Sequence, residues 1–260
     1  MLRLYTFGGL RIKHEGQYLQ LPTQKSRDLL AYLLTFRDRS HPRSTLVGVL
    51  WPDLCEDKAR RRLSDALWRV RHAIVPDVVL ADDDSLRFNA HCPHWLDVEQ
   101  FETLIAQYTN LPHLRRALDL YQGPYLDGIY HDWALLERER LRGLYLEAMG
   151  RLLEGYKQIG DYLAALKMAR RLVAAEPLHE AAHRELMRLY HLLGRDAEAV
   201  AQYRRCREIL RRELHVAPAA ETEALYHTLS GQASLQADVP SAHLPAAAHR
   251  APPRLDAPPL

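Results

Sequence analysis

Apolar residues alternate with polar ones in the short runs LRLYTF, LRIK and YLQL between positions 2 and 21, separated by Gly8-Gly9 and Glu15-Gly16. Alternation over short runs broken by glycine predicts a small antiparallel sheet. The period then changes. Between Thr23 and Phe36 the residues Leu29, Leu30, Leu33, Leu34 and Phe36 recur at helical spacing behind the Pro22-Thr23 start signal. RDRSHP reads as a turn, RSTLVGVLW as a short helix stopped by Pro52, and WPDLCEDK as a polar loop. A third helix is predicted from about Glu56 to Val75, where Pro76 ends it, and VVLA and SLRFN around Asp82-Asp83-Asp84 predict a β-hairpin. The order is sheet, three helices, hairpin.

Beyond Trp95 the pattern is helical and repeats. Residues 145–170 laid over 179–204 bring Ala148, Leu152, Tyr156, Gly160 and Ala165 onto Ala182, Leu186, Tyr190, Gly194 and Ala199, the pattern of a tetratricopeptide helical hairpin. Leu and Tyr fill the groove between paired helices, Gly permits the tight turn, and Ala lets the second helix approach closely. Residues 97–126 predict a more degenerate helix pair and AETEALYHTL a capping helix. From Ser230 the chain turns to Ala, Pro, Ser and His, the composition of a disordered tail or linker. The expected architecture is an α+β winged helix-turn-helix domain over residues 1–94, an all-α tetratricopeptide-like domain over 95–230, and a tail over 231–260.

Composition narrows the class. Of 260 residues, 47% are hydrophobic and 26% charged, enough for two modest cores. No run of about 20 apolar residues exists, and MLRLYTFGGL lacks a basic leader, so a soluble, unexported chain with no membrane partner is expected. The three cysteines, Cys55, Cys92 and Cys206, are far apart, which fits a reducing cytoplasm rather than a disulfide framework. Net charge is only +2, but basic residues exceed acidic ones by 15 to 11 over residues 1–94 and fall behind, 18 to 20, over 95–230.

HEAAH at 179–183 has the spacing that places two histidines on one helical face with a general-base glutamate. The longer zinc pattern wants Gly at 186 and His at 189, and both are leucines on the packing stripe. The motif is therefore read as the start of a repeat helix, with Pro177 in its first turn and Glu180 at its positive end. HCPH at 91–94 sits in a short linker without a second ligand pair. No Gly-rich phosphate loop and no G-x-S-x-G elbow is present. No catalytic residue, metal or cofactor is expected.

The third helix carries the informative chemistry. Leu63, Leu67, Val70 and Ile74 form one narrow apolar stripe, while Arg61, Ser64, Asp65, Trp68, Arg69 and His72 cluster away from it, with Arg60, Arg62 and Arg71 on the flanks. Guanidinium groups fork onto guanine edges or pair with phosphate, and Ser and His bond to either. The bland reading is a solvated face pairing with Glu56 and Asp65; the surrounding sheet, helix order and hairpin favour a recognition helix. Trp68 has two open readings, contact with a thymine methyl or sugar, or packing sideways on the preceding loop. Lys25, Arg27, Arg43 and Ser44 at helix starts are candidates for phosphate contact. Arg87 either enters a minor groove from the hairpin or balances the neighbouring aspartates.

LRLYTFGGLRI, LPTQKSRDLLAYLL, LVGVLWPD, ARRRLSDALWRVRHAI, WLDVEQFETLI, LYQGPYLDG and the paired Tyr-Gly repeats together resemble the SARP-type bacterial regulators. In that family a winged helix is fused to a bacterial transcriptional activation domain. The resemblance implies an activator that binds double-stranded promoter DNA, with a pair of protomers on tandem repeats, contacts RNA polymerase holoenzyme, and acts in the cytoplasm at the nucleoid. Arg69 and Arg71 fall where the family has recognition-helix arginines; Trp68 departs from the small polar residue common there. The rival reading is a peptide-binding adaptor whose repeat groove captures a protein segment without DNA binding.

Overall fold

The computed structural model describes residues 1–107 and 110–237, with side chains as far as Ser230. The amino-terminal alternation forms β1 (Leu2–Tyr5), β2 (Arg11–His14) and β3 (Gln17–Leu19), paired antiparallel as expected. Next come α1 (Gln24–Thr35), β4 (His41–Pro42), α2 (Arg43–Leu50) and α3 (Glu56–Ala73). Thr23 caps α1 through a reciprocal capping box with Ser26. After α3 the chain forms β5 (Val79–Ala81) and β6 (Ser85–Phe88), and β4 joins them in a three-stranded sheet ordered β4-β6-β5.

Residues 91–94, read from sequence as a linker, lead instead into a strand. β7 (His94–Leu96) lies parallel to β1 and completes a sheet ordered β3-β2-β1-β7. The helices that follow are α4 (Asp97–Ala106), α5 (Leu111–Leu120), α6 (Asp132–Gln158), α7 (Tyr162–Ala175), α8 (Glu180–Leu192), α9 (Asp196–Leu214) and α10 (Ala220–Ala237). The repeat positions behave alike in both units. Gly160 and Gly194 turn the chain at φ +75° and +69°, and Ala148, Leu152, Ala165, Ala182, Leu186 and Ala199 are all buried. Pro177 precedes α8 rather than occupying its first turn, and its carbonyl accepts from the His183 ring. Helix α10 continues past Ser230, where sequence composition placed the tail, as far as Ala237; residues 238–260 lie outside the described residues.

Two apolar clusters form, and the first does not stop at residue 94. Leu4, Leu29, Leu33, Leu50, Leu63, Val70 and Phe88 share it with Leu96, Phe101, Tyr125, Ile129 and Leu141. Phe7 meets Phe101 edge-on at 5.1 Å and Tyr121 at 4.8 Å. A buried clasp reinforces the junction. Asp97 at the start of α4 accepts from Thr6 N, Thr6 Oγ1, Phe7 N and Val98 N at 2.6–3.0 Å. Burial pushes this carboxyl up while the hydrogen bonds pull the other way. Gly8, at φ +74°, donates to Pro124 O at 3.0 Å, and a Cβ on Gly123 would stand 3.2 Å from Gly8 Cα, so the two backbones touch where side chains would not fit. The second cluster joins Leu114 and Leu118 to the apolar faces of α6, α7, α8 and α9 and to Leu229.

Candidate nucleic-acid interface

Helix α3 is seated on α1 and α2 through Ala59, Leu63, Ala66, Leu67 and Val70, all buried. Their spacing commits one stripe of the helix inward, so the residues between them must face out. Arg60, Arg61, Arg62, Ser64, Asp65, Trp68 and His72 are exposed, and Arg69 is half-buried. Ile74, counted with the stripe from sequence, falls just beyond the last helical residue.

These side chains are not equally available. Arg60 forks onto Glu56 at 2.7 and 2.9 Å, the surface pair that the bland reading foresaw. Asp65, by contrast, forms no ion pair among the described residues, and it lines a hollow of about 250 Å³ together with Thr23, Lys25, Trp51, Arg62 and Arg69. Arg62, placed on a flank by the helical wheel, thus shares this cleft with Arg69. Trp68 keeps 58% of its surface exposed. Its ring lies 4.0 Å from that of His72 at a 30° tilt, and His72 Nδ1 is 2.9 Å from Trp68 O, so the indole rests one turn forward along its own helix and not on the preceding loop.

Several of the predicted DNA contacts, one on the recognition helix and two at helix starts, have structural employment. Arg71 donates twice to Val79 O, at 2.9 and 3.2 Å, and so ties α3 to β5. Arg43 donates to Asp82 O at 3.0 and 3.2 Å, tying α2 to the hairpin turn. Lys25 Nζ reaches Leu50 O at 2.7 Å. Arg27, Ser44 and Arg87 are exposed. Arg87 makes no ion pair with the aspartates of its turn among the described residues; Asp82 is satisfied locally by Ser85 Oγ, Ser85 N and Asp84 N, which hold its carboxyl below the ordinary range. The hairpin therefore sits beside α3 by hydrogen bonds to carbonyls, leaving Arg87 pointing to solvent on β6.

The two metal-like motifs take other roles. His183 is fully buried, with Nε2 3.0 Å from Pro177 O and Nδ1 2.7 Å from Gln202 Nε2, so both ring nitrogens are engaged. His94 Nδ1 lies 2.8 Å from Cys92 O. Cys206 is buried, which pushes its thiol up to about 11. Among the described residues no group of three or more metal-ligating side chains converges, and no helix is long and apolar enough to cross a membrane.

Comparison with known proteins adds the family. The model of the bacterial transcriptional activator domain matches residues 96–230. The regulatory protein AfsR of Streptomyces coelicolor is 29% identical over 256 residues, which is 95% of this chain but 25% of AfsR. The transcriptional regulatory protein MoaR1 of Mycobacterium tuberculosis is 25% identical over 86% of this chain and 78% of its own. The chain thus spans about a quarter of the first of these relatives. Among solved structures, Mycobacterium tuberculosis EmbR in complex with a low-affinity phosphopeptide superposes with a TM-score of 0.73 at 22% identity, covering 89% of this chain and 65% of that one. That likeness establishes the order of a small α/β region followed by a helical domain. With more than half its length inside the family model and regulators of this type as its relatives, the chain belongs to the bacterial transcriptional activator domain family, in its SARP-type branch.

Proposed function

We propose that this chain is a sequence-specific transcriptional regulator that reads duplex DNA with α3. In this reading residues 1–94 are a winged helix-turn-helix domain, with α2 and α3 as the helix pair and β5–β6 as the wing. α3 enters the major groove, Arg61 and Arg69 contact base edges or phosphate, and Trp68 offers an apolar face to a thymine methyl. Arg87 on β6 reaches an adjacent minor groove, and Arg27 and Ser44 contact phosphate at helix starts. Arg43 and Arg71 hold the wing against the helix pair. The helical domain, taken as residues 95–230, contacts RNA polymerase or a second protomer bound at a neighbouring repeat. No covalent chemistry is involved, and the protein works in the cytoplasm, at the nucleoid.

The observation that carries this reading is the division of α3 into a fully buried apolar stripe and an exposed face bearing Arg61, Arg62, Ser64, Trp68 and His72. A solvated helix gains nothing from exposing a tryptophan amid arginines, whereas a groove-reading helix needs both. Genomic fragments retained by the protein supply the DNA, and fluorescence anisotropy at increasing salt supplies the test. Affinity is expected to fall steeply, with a slope of roughly −0.9 per phosphate neutralised. A flat salt response contradicts the reading.

A further inference from the structure

In the helical half, nine of the eighteen lysines and arginines pair with carboxylates among the described residues. Arg142 meets Glu176, Arg151 meets Glu147, Lys157 is shared by Glu154 and Glu185, and Arg188 and Arg195 reach Glu185 and Glu198. Three of those without an ion pair gather around one hollow. Between α5, α6 and α7 a cleft of about 240 Å³ is lined by Arg115, Lys167 and Arg171, with the half-buried Met168 and Tyr156 supplying its apolar surface above the buried Leu118 and Leu152. Among the described residues none of these three cations forms an ion pair, and Arg171 donates only to a neutral phenol, Tyr145 Oη, at 3.1 Å. Helix α7 contains no acidic residue at all, and Asp119 is the single carboxylate lining the cleft.

Cations crowded around one hollow repel one another and raise the local concentration of anions. Guanidinium forks take carboxylates in pairs of parallel hydrogen bonds. The apolar lining adds a second requirement, since a phosphodiester backbone brings no apolar group to bury, while a peptide can bring both kinds. We propose that this cleft binds a short acidic peptide segment of a protein partner, with one aliphatic side chain seated on Met168 and Tyr156 and flanking carboxylates held by Arg115, Lys167 and Arg171. The inference rests on the proposal that the helical half takes a protein partner, and not on DNA reading by α3.

The test uses the full chain and a fluorescein-labelled peptide of Asp and Glu residues around one central Leu. Wild type is expected to bind it, and Lys167→Glu with Arg171→Glu to weaken binding roughly tenfold or more. Arg211→Glu with Arg212→Glu on α9, where each arginine already pairs with a glutamate, is expected to change it little. Replacing the peptide's Leu by Ser is expected to weaken binding severalfold. Circular dichroism checks the fold, and Arg115→Gln with Lys167→Gln gives a milder variant with the same expected direction. Failure of wild type to bind the peptide, or equal peptide affinity of wild type and the cleft variants, overturns the proposal. Anisotropy with retained genomic fragments, run on the same variants, is expected to show unchanged DNA affinity. Loss of DNA affinity with peptide affinity intact would assign the cleft to phosphate and also overturn the proposal.

Discussion

Single side chains here do work that their type alone does not announce. His183 belongs to a motif that suggests zinc, yet it sits sealed between Pro177 O and Gln202 Nε2, and burial holds its imidazole below the ordinary range. The neutral ring is therefore the folded form. Its contribution to stability is complete above the unfolded value of about 6.5 and is lost as pH falls toward and through the lower folded value. Urea midpoints compared at pH about 7.5 and about 5.5 are expected to drop with acid, and His183→Gln to drop less. Equal acid sensitivity in the two proteins would place the loss elsewhere. The sequence allowed HEAAH to be set aside as a ligand set, since Leu186 and Leu189 occupy the positions of further ligand-pattern residues. It did not reveal the Gln202 partner, because that contact joins α8 to α9 across the core and depends on how the two helices pack.

At the scale of elements, the recognition-helix candidate was legible and its supports were not. The period of Leu63, Leu67 and Val70 defined the inward stripe of α3, and all three are buried. The two- and three-residue strands β4 and β7 escaped, because segments that short form only where a partner strand is already present. Arg71 illustrates the same limit. On a helical wheel it lies on a flank and by family resemblance is a recognition-helix arginine, but its guanidinium closes on Val79 O, a carbonyl whose position depends on the hairpin. Arg71→Ala is therefore expected to cost about 1–2 kcal/mol and to speed amide hydrogen exchange across β5 and β6, while Arg61→Ala leaves both unchanged. Unaltered exchange in the Arg71 variant would show that the hairpin stands without it. The fork of Arg60 on Glu56 is the opposite case, an exposed pair that contributes little to stability and is free to exchange its partner for phosphate.

For the whole molecule, the division into two cores does not follow the change from mixed structure to helix. The Asp97 clasp, the Gly8–Gly123 contact and the shared burial of Phe7, Phe101 and Tyr125 fasten the α/β region to the first helices after it. Residues 1–94 expressed alone lose all of these partners, and are expected to unfold at far lower urea than the full chain and with a shallow, poorly cooperative transition. A sharp transition near that of the full chain would show that the amino-terminal region is self-sufficient. Such fastening suits the proposed regulator, since a contact made by the helical half would reach the half proposed to read DNA through a packed core instead of a slack linker. The central claim is that the outward face of α3 meets DNA. Its most direct test is an anisotropy titration of a retained genomic fragment with wild type, with Arg61→Ala and Arg69→Ala combined, and with Arg211→Ala and Arg212→Ala combined. DNA reading by α3 predicts that the α3 variant binds about 10- to 100-fold more weakly at unchanged thermal stability and that the α9 variant matches wild type; equal affinity of the α3 variant and wild type would contradict it.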